Sequence, residues 1–164
     1  MFDPDLTGVG HQPYGHDQWK TFYEKYMVTG AILTATFIST SDDALAGSAV
    51  VGIELSDDSS PITVNPTLIM EKPGSTHRIV TAADAKQKVT VRKGFSTRRF
   101  FSLKDLADNR DEHGSNFGFS PLEEAYWHVY VTGINSTVNT AAFDILVKIE
   151  YTCQLTEPKD LAES

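Results

Sequence analysis

The sequence predicts an antiparallel β-sandwich or barrel, on three observations. Long stretches alternate apolar and polar residues with the period of two that a strand imposes. Helical spacing is confined to one short stretch near the start and one turn in a loop. The connections at 57–75 and 105–122 are long and carry proline or glycine, which favours a jelly roll, whose connections cross between sheet ends, over an immunoglobulin-type sandwich. About six to eight strands are expected.

The elements follow in chain order. "DQWKTFYEKY" spaces Trp19, Phe22, Tyr23 and Tyr26 at i, i+3, i+4 and i+7. That places the four rings on one face of a short N-terminal helix, with Asp17 as its N-cap. The rings are read as an aromatic plug leading into the first strand, with His11 and His16 as turn residues at its mouth. "YMVTGAILTATFIS" is rich in β-branched residues and has no proline, so it reads as that strand. In "SAVVGIELS", Ala49, Val51, Ile53 and Leu55 share one face, with Ser48, Gly52 and Glu54 on the other, as in a half-buried strand. "SDDSSPITVNPTLIMEKPG" holds Pro61, Pro66 and Pro73 and is expected to form a connection with a helical turn near Thr67 to Glu71.

"HRIVTA" and "KVTVRKGF" read as the next strands, and "RDEHGSNFGFSP" as a polar loop without periodicity. "AYWHVYVTG" alternates Trp127, Val129 and Val131 with His128 and Tyr130. The last strand, "FDILVKIEYTCQLT", puts Phe143, Ile145, Val147, Ile149, Tyr151, Cys153 and Leu155 on an unbroken apolar face, with only Leu146 breaking the opposite one. Residues 157–164 read as a polar tail to a single domain spanning 1–164.

Composition narrows the function. A chain of 164 residues buries roughly 70% of its unfolded surface in one core. No apolar run approaches the ~20 residues of a membrane span, and "MFDPDLTG" lacks the basic and apolar regions of a secretory signal. Without such a signal "NST" at Asn135 reads as a turn. The single cysteine, Cys153, excludes an intrachain disulfide framework and reads as a small hydrophobe in a strand.

The net charge of −8 argues against strong nucleic-acid binding by the folded body as a whole. A local basic surface is still present, because Lys86, Lys88, Arg92, Lys93, Arg98, Arg99 and Lys104 are half of the fourteen lysines and arginines. It is read either as a solvated strand face or as a nucleic-acid or subunit contact. Phe95, Phe100 and Phe101 interleave with it and suit base stacking or packing equally.

Enzyme chemistry finds little support, and no cofactor is expected. None of His11, His16, His77, His113 and His128 lies two apart from another, as a cupin-type metal strand would need. There is no G-x-S-x-G elbow and no phosphate-cradling glycine loop. Asp42-Asp43 and Asp57-Asp58 could offer oxygen ligands to calcium, or could simply be exposed loop carboxylates.

"GVGHQPYGHDQWKTFYEKYMVTGAILTATF" resembles the start of the capsid domain of circular, replication-protein-encoding single-stranded DNA viruses, the circovirus-like group. "KVTVRKGFSTRRFF", "GFSPLEEAYWHVYV" and "FDILVKIEYTCQLTEPK" match the style of that family. The resemblance implies an eight-stranded jelly roll. It further implies self-assembly into an icosahedral shell of about sixty copies around a single-stranded DNA genome. On that reading the protein resides in the virion, and in the host nucleus or cytoplasm during assembly. Assembly would rest on Trp19, Phe22, Tyr23, Tyr26, His11 and Trp127. Residual DNA contact would fall to Lys86, Lys88, Arg92, Lys93, Arg98 and Arg99. The family's arginine-rich arm has no counterpart in "MFDPDLTG", so genome binding is expected mainly through an arm outside this chain. A β-sandwich module that binds carbohydrate or another ligand, with Tyr14, Trp19 or Trp127 as stacking platforms, is the alternative.

Overall fold

The computed structural model describes residues 4–6, 11–40, 47–60, 65–81, 88–134 and 142–160. Their elements are α1 (His16–Phe22), β1 (Tyr23–Ser39), β2 (Ala49–Ser56), α2 (Pro66–Glu71), β3 (Ser75–Val80) and β4 (Lys88–Ser96). There follow α3 (Thr97–Phe100), a 3-10 turn (Ala107–Asn109), α4 (Arg110–His113), β5 (Gly114–Asn116), β6 (Tyr126–Gly133) and β7 (Phe143–Pro158). Seven strands therefore stand among the described residues where eight are expected from the resemblance. One sheet has the order β3-β2-β6, and the other is built on β1, which pairs with β4, β5 and β7. The chain packs as two compact units, residues 1–31, 95–124 and 151–164 in the first and residues 32–94 and 125–150 in the second.

The second unit is a β-sandwich. Leu33, Ala35 and Phe37 of β1 and Val91 of β4 meet Val51 and Ile53 of β2 and Val80 of β3 in one buried cluster. Val89, Trp127, Val129, Val131, Phe143 and Ile149 pack around it. The period of two explains this, since alternate residues of each strand turn inward and the two inner faces share one core. Each fully buried Val, Leu, Ile or Phe stabilises by about 1.5–3 kcal/mol.

The central strand β2 departs from the half-buried pattern expected of it. Val50, Gly52 and Glu54 are buried as well as Ala49, Val51 and Ile53. β2 lies between β3 and β6, with Gly52 opposite both His77 and Tyr130, and Ile69 of α2 packs with Val50 and Tyr130 over its second face. Gly52 is needed there because a Cβ would stand 2.5 Å from the Tyr130 hydroxyl and 2.7 Å from the Thr76 carbonyl oxygen.

The first unit corrects the reading of the opening helix. α1 stops at Phe22, so Tyr23 and Tyr26 belong to β1 and, three apart on a strand, face opposite sides. Lys25, Tyr26 and Met27 pair antiparallel with Asn116, Ser115 and Gly114 of β5. Sheet pairing of a β-prone run thus overrides the helical spacing of its aromatics. Asp17 makes no cap hydrogen bond, and the N-cap is Gly15 in the left-handed region. His16 is also corrected, being buried rather than a turn residue at a mouth.

The segment expected to be a long loop at 105–122 holds the 3-10 turn, α4 and β5. Asp105 accepts the Ala107 N–H at 2.8 Å and its carbonyl accepts Asn109 Nδ2 at 2.7 Å, local bonds that order short pieces with no periodicity to read. The polar tail is shorter than expected, since β7 continues to Pro158 and the Lys159 N–H donates to the Phe22 carbonyl at 2.8 Å.

Candidate assembly and nucleic-acid surfaces

Around β1 in the first unit, Tyr26 alone of the four rings expected in the plug is buried, and its partners are His16 and Phe117. Tyr26, His16 and Phe117 form a triangle of ring contacts with centroids 5.1 to 6.2 Å apart. The Tyr26 hydroxyl donates to the Phe119 carbonyl at 2.7 Å. Trp19 is 51% exposed and touches Tyr23, and Phe22 is exposed too. So of the residues assigned to this plug, Tyr26 is its core, Tyr23 is half-buried, and Trp19 and Phe22 are surface. His11 is exposed, with Nδ1 2.9 Å from the Gln12 carbonyl oxygen and its ring against Tyr14. Trp127 belongs to the second unit, where it packs against the sandwich core.

The basic stretch is divided between the units. Lys86 lies outside the described residues. In the second unit Lys88 and Arg92 are exposed, four apart on β4 and hence on one side of it, while Lys93 donates to Thr76 Oγ1 at 3.4 Å. In the first unit Arg98 and Arg99 are exposed in the last turn of α3. The interleaved aromatics resolve towards packing: Phe95, Phe100 and Phe101 meet edge to face at 4.9 to 6.5 Å, and Phe101 lies against the buried His113 at 4.4 Å. An edge-to-face cluster is an ordinary apolar packing arrangement.

The structure adds a buried polar group that the sequence pattern did not single out. On the outer face of β2, Glu54 stands opposite Ser75 of β3 and His128 of β6. Its Oε1 accepts Lys72 Nζ at 2.7 Å, and its Oε2 has no hydrogen-bond partner among the described residues. The Tyr130 and Ser75 hydroxyls are 2.8 Å apart, and burial pushes the Tyr130 phenol up from its ordinary range. His128 Nε2 donates to the Asp58 carbonyl at 2.8 Å, which gives this histidine a structural role. Lys72 directly follows α2, so the Glu54 ion pair ties that helix to the sheet. In an alternating strand such a glutamate reads as solvent-facing, whereas here it is buried between β3 and β6 and beside Lys72.

Of the acidic pairs, Asp42-Asp43 lies outside the described residues. Asp58 accepts the Ser60 N–H at 2.8 Å, and that bond holds its carboxyl below the usual range. Cys153 is half-buried on β7, and burial pushes its thiol up. Asn135 also lies outside the described residues.

Large apolar side chains remain at the surface of each unit. Tyr14, Phe119 and Leu122 are exposed in the first. In the second, β7 departs from its expected inward face: Ile145 and Val147 are 42% and 44% exposed, and Leu146 is 69% exposed. Among the described residues β7 pairs only with β1, and an edge strand with a neighbour on one side covers less of its apolar face than an inner strand.

Neither a protein-family model nor a curated protein sequence matches the chain. Among solved structures, it is similar to turnip yellow mosaic virus in its empty-head form, with a TM-score of 0.43 at 16% identity over 88% of this chain and 67% of that one. A second turnip yellow mosaic virus structure gives 0.43 at 15% identity over 89% and 67%. Desmodium yellow mottle tymovirus gives 0.41 at 14% identity over 93% and 71%.

Proposed function

We propose that this chain is a viral coat subunit, a jelly-roll shell domain that assembles with copies of itself around a single-stranded DNA genome. The observation that carries the reading is the apolar surface left on both units, Tyr14, Phe119 and Leu122 on one and Ile145, Leu146 and Val147 on the other. Consecutive apolar side chains left in water, as at Ile145, Leu146 and Val147, are the kind of surface that a subunit of a closed assembly covers with its neighbours. The sequence resemblance to circovirus-like capsid domains supports the genome type, the icosahedral geometry and the eighth strand. The exposed Lys88, Arg92, Arg98 and Arg99 are the side chains offered for residual DNA contact. Function in such a protein is geometry, and no catalytic group is called for.

Electron micrographs of the purified protein test this. Uniform small spheres are the expected result. A protein that stays monomeric at every salt concentration and pH overturns the reading. The carbohydrate-binding alternative draws on the exposed rings of Tyr14 and Trp19 and would be favoured by a monomer that binds one glycan specifically. Trp127 offers it no platform, because its ring is spent on the sandwich core.

A further inference from the structure

We propose that the outer edge of β7 is a self-complementary docking strand that takes the β7 of a second copy of this chain, antiparallel, with Leu146 on the two-fold axis. The contact lies wholly within the second unit. Since β7 pairs with β1 alone, its other edge carries no strand among the described residues. The segment 143–150 holds no proline, and its charged side chains Asp144, Lys148 and Glu150, which guard an edge against arbitrary partners, admit a strand whose charges oppose them. Its side chains reach solvent on both faces, with Leu146 69% exposed and Ile145 and Val147 at 42% and 44%.

The occupant is indicated by the sequence of the strand itself. "FDILVKI" is a pseudo-palindrome of apolar residues about Leu146, broken by one acid and one base at equal distances. A two-fold axis normal to the sheet places one residue opposite its own copy. With Leu146 there, Ile145 meets Val147, Asp144 meets Lys148 and Phe143 meets Ile149, each pair twice. Opposite charges directly across an antiparallel pair stabilise it, and like charges do the reverse. Centring instead on Val147 sets Asp144 against Glu150 and Leu146 against Lys148. The charge pattern therefore selects both a partner, a second copy, and a register. In the single chain Lys148 instead bridges Glu150 on its own strand at 3.1 Å, both side chains being exposed, so it is available for exchange. The inference rests on the edge of β7 and not on the shell reading, because a two-fold pair is complete with two copies.

Disulfide trapping tests it in a Cys153→Ser background. Directly opposed residues of an antiparallel pair are close enough for a disulfide. Leu146→Cys is expected to form a covalent dimer on mild oxidation, Ile145→Cys to form little alone, and Ile145→Cys mixed with Val147→Cys to form a heterodimer. Asp144→Lys and Lys148→Asp should each weaken association at least about fivefold, and an equimolar mixture of the two should restore it, since each variant's charges then face their opposites. Failure of Leu146→Cys to cross-link above an exposed control, Ser59→Cys, overturns the proposal, as does a mixture of the charge variants no better than either alone. Shells that assemble without the Leu146 cross-link also overturn it while leaving the shell reading intact. Cross-linked pairs that build no larger particle support it and count against the shell.

Discussion

At the residue scale, burial separates side chains that the sequence makes look alike. Trp19 and Tyr26 share one helical stripe on paper, yet Tyr26 is buried against His16 and Phe117 while half of Trp19 is in water. Tyr26→Ala should therefore cost about 3–5 kcal/mol, and Trp19→Ala about 1 kcal/mol or less, as read from urea denaturation midpoints. Tyr151 makes a pH-dependent contribution. Burial, with Cys153 and Tyr26 nearby, pushes its phenol up to about 12, against about 10 in an unfolded chain. The fold binds that proton more tightly, so the stabilisation is complete below about pH 10 and is lost as pH rises towards about 12. The loss should approach about 2 kcal/mol. Tyr151→Phe should remove that part of the slope when stability is compared at about pH 9 and about pH 11.5.

At the element scale, what ends each helix is as informative as what starts it. The four-residue α3 closes with the Leu103 N–H donating to the Arg98 carbonyl at 2.9 Å, around Ser102 in the left-handed region at φ 55°. That is a Schellman-type ending at a position where glycine is the unstrained residue. Ser102→Gly should therefore stabilise the protein by up to about 1 kcal/mol, seen as a rise of a few degrees in melting temperature. A fall would mean that the serine hydroxyl does more than occupy the turn. The neighbouring Thr97 hydroxyl donates to the Val28 carbonyl, anchoring the start of the same helix to β1. β2 illustrates the opposite case, a strand whose second face is packed by Ile69 of the next helix in the chain, with the Glu54–Lys72 pair beside it. Breaking a pair at a buried carboxylate leaves a charge to be desolvated without compensation, which is why α2 and the sheet are coupled.

At the scale of the whole molecule, acidic charge and apolar surface oppose each other. A net charge of −8 makes copies repel, while the exposed residues of β7 and of the first unit favour contact. Salt shortens the reach of the repulsion, to about 3 Å at 1 M, and leaves apolar contact in place. Association should consequently rise with ionic strength, measured by light scattering or sedimentation across a salt series. A fall with salt would point to ion pairs as the main adhesive. No helix among the described residues is long and apolar enough to cross a membrane.

What the sequence by itself determined was the set of strands: β2, β3, β4, β6 and β7 lie where alternation puts them, because a period of two is a local property that the chain displays residue by residue. It also determined the helical turn of α2, which proline and spacing announce. The tertiary structure decided where α1 ends, since Tyr23 to Met27 could satisfy either period and the pairing that settles it comes from β5, some ninety residues away in the chain, and from β7. It decided that Glu54 is buried, because its neighbours on β3 and β6 and the Lys72 side chain close around it, which alternation does not report. It decided that Ile145 and Val147 stay exposed, because whether an apolar face is core depends on what lies across from it. The basic residues were legible as a cluster, but their division between two units and the packing of Phe95, Phe100 and Phe101 on one another were not. Alternation reports which side chains share a face; only the neighbours of that face determine whether it meets core, solvent or another copy.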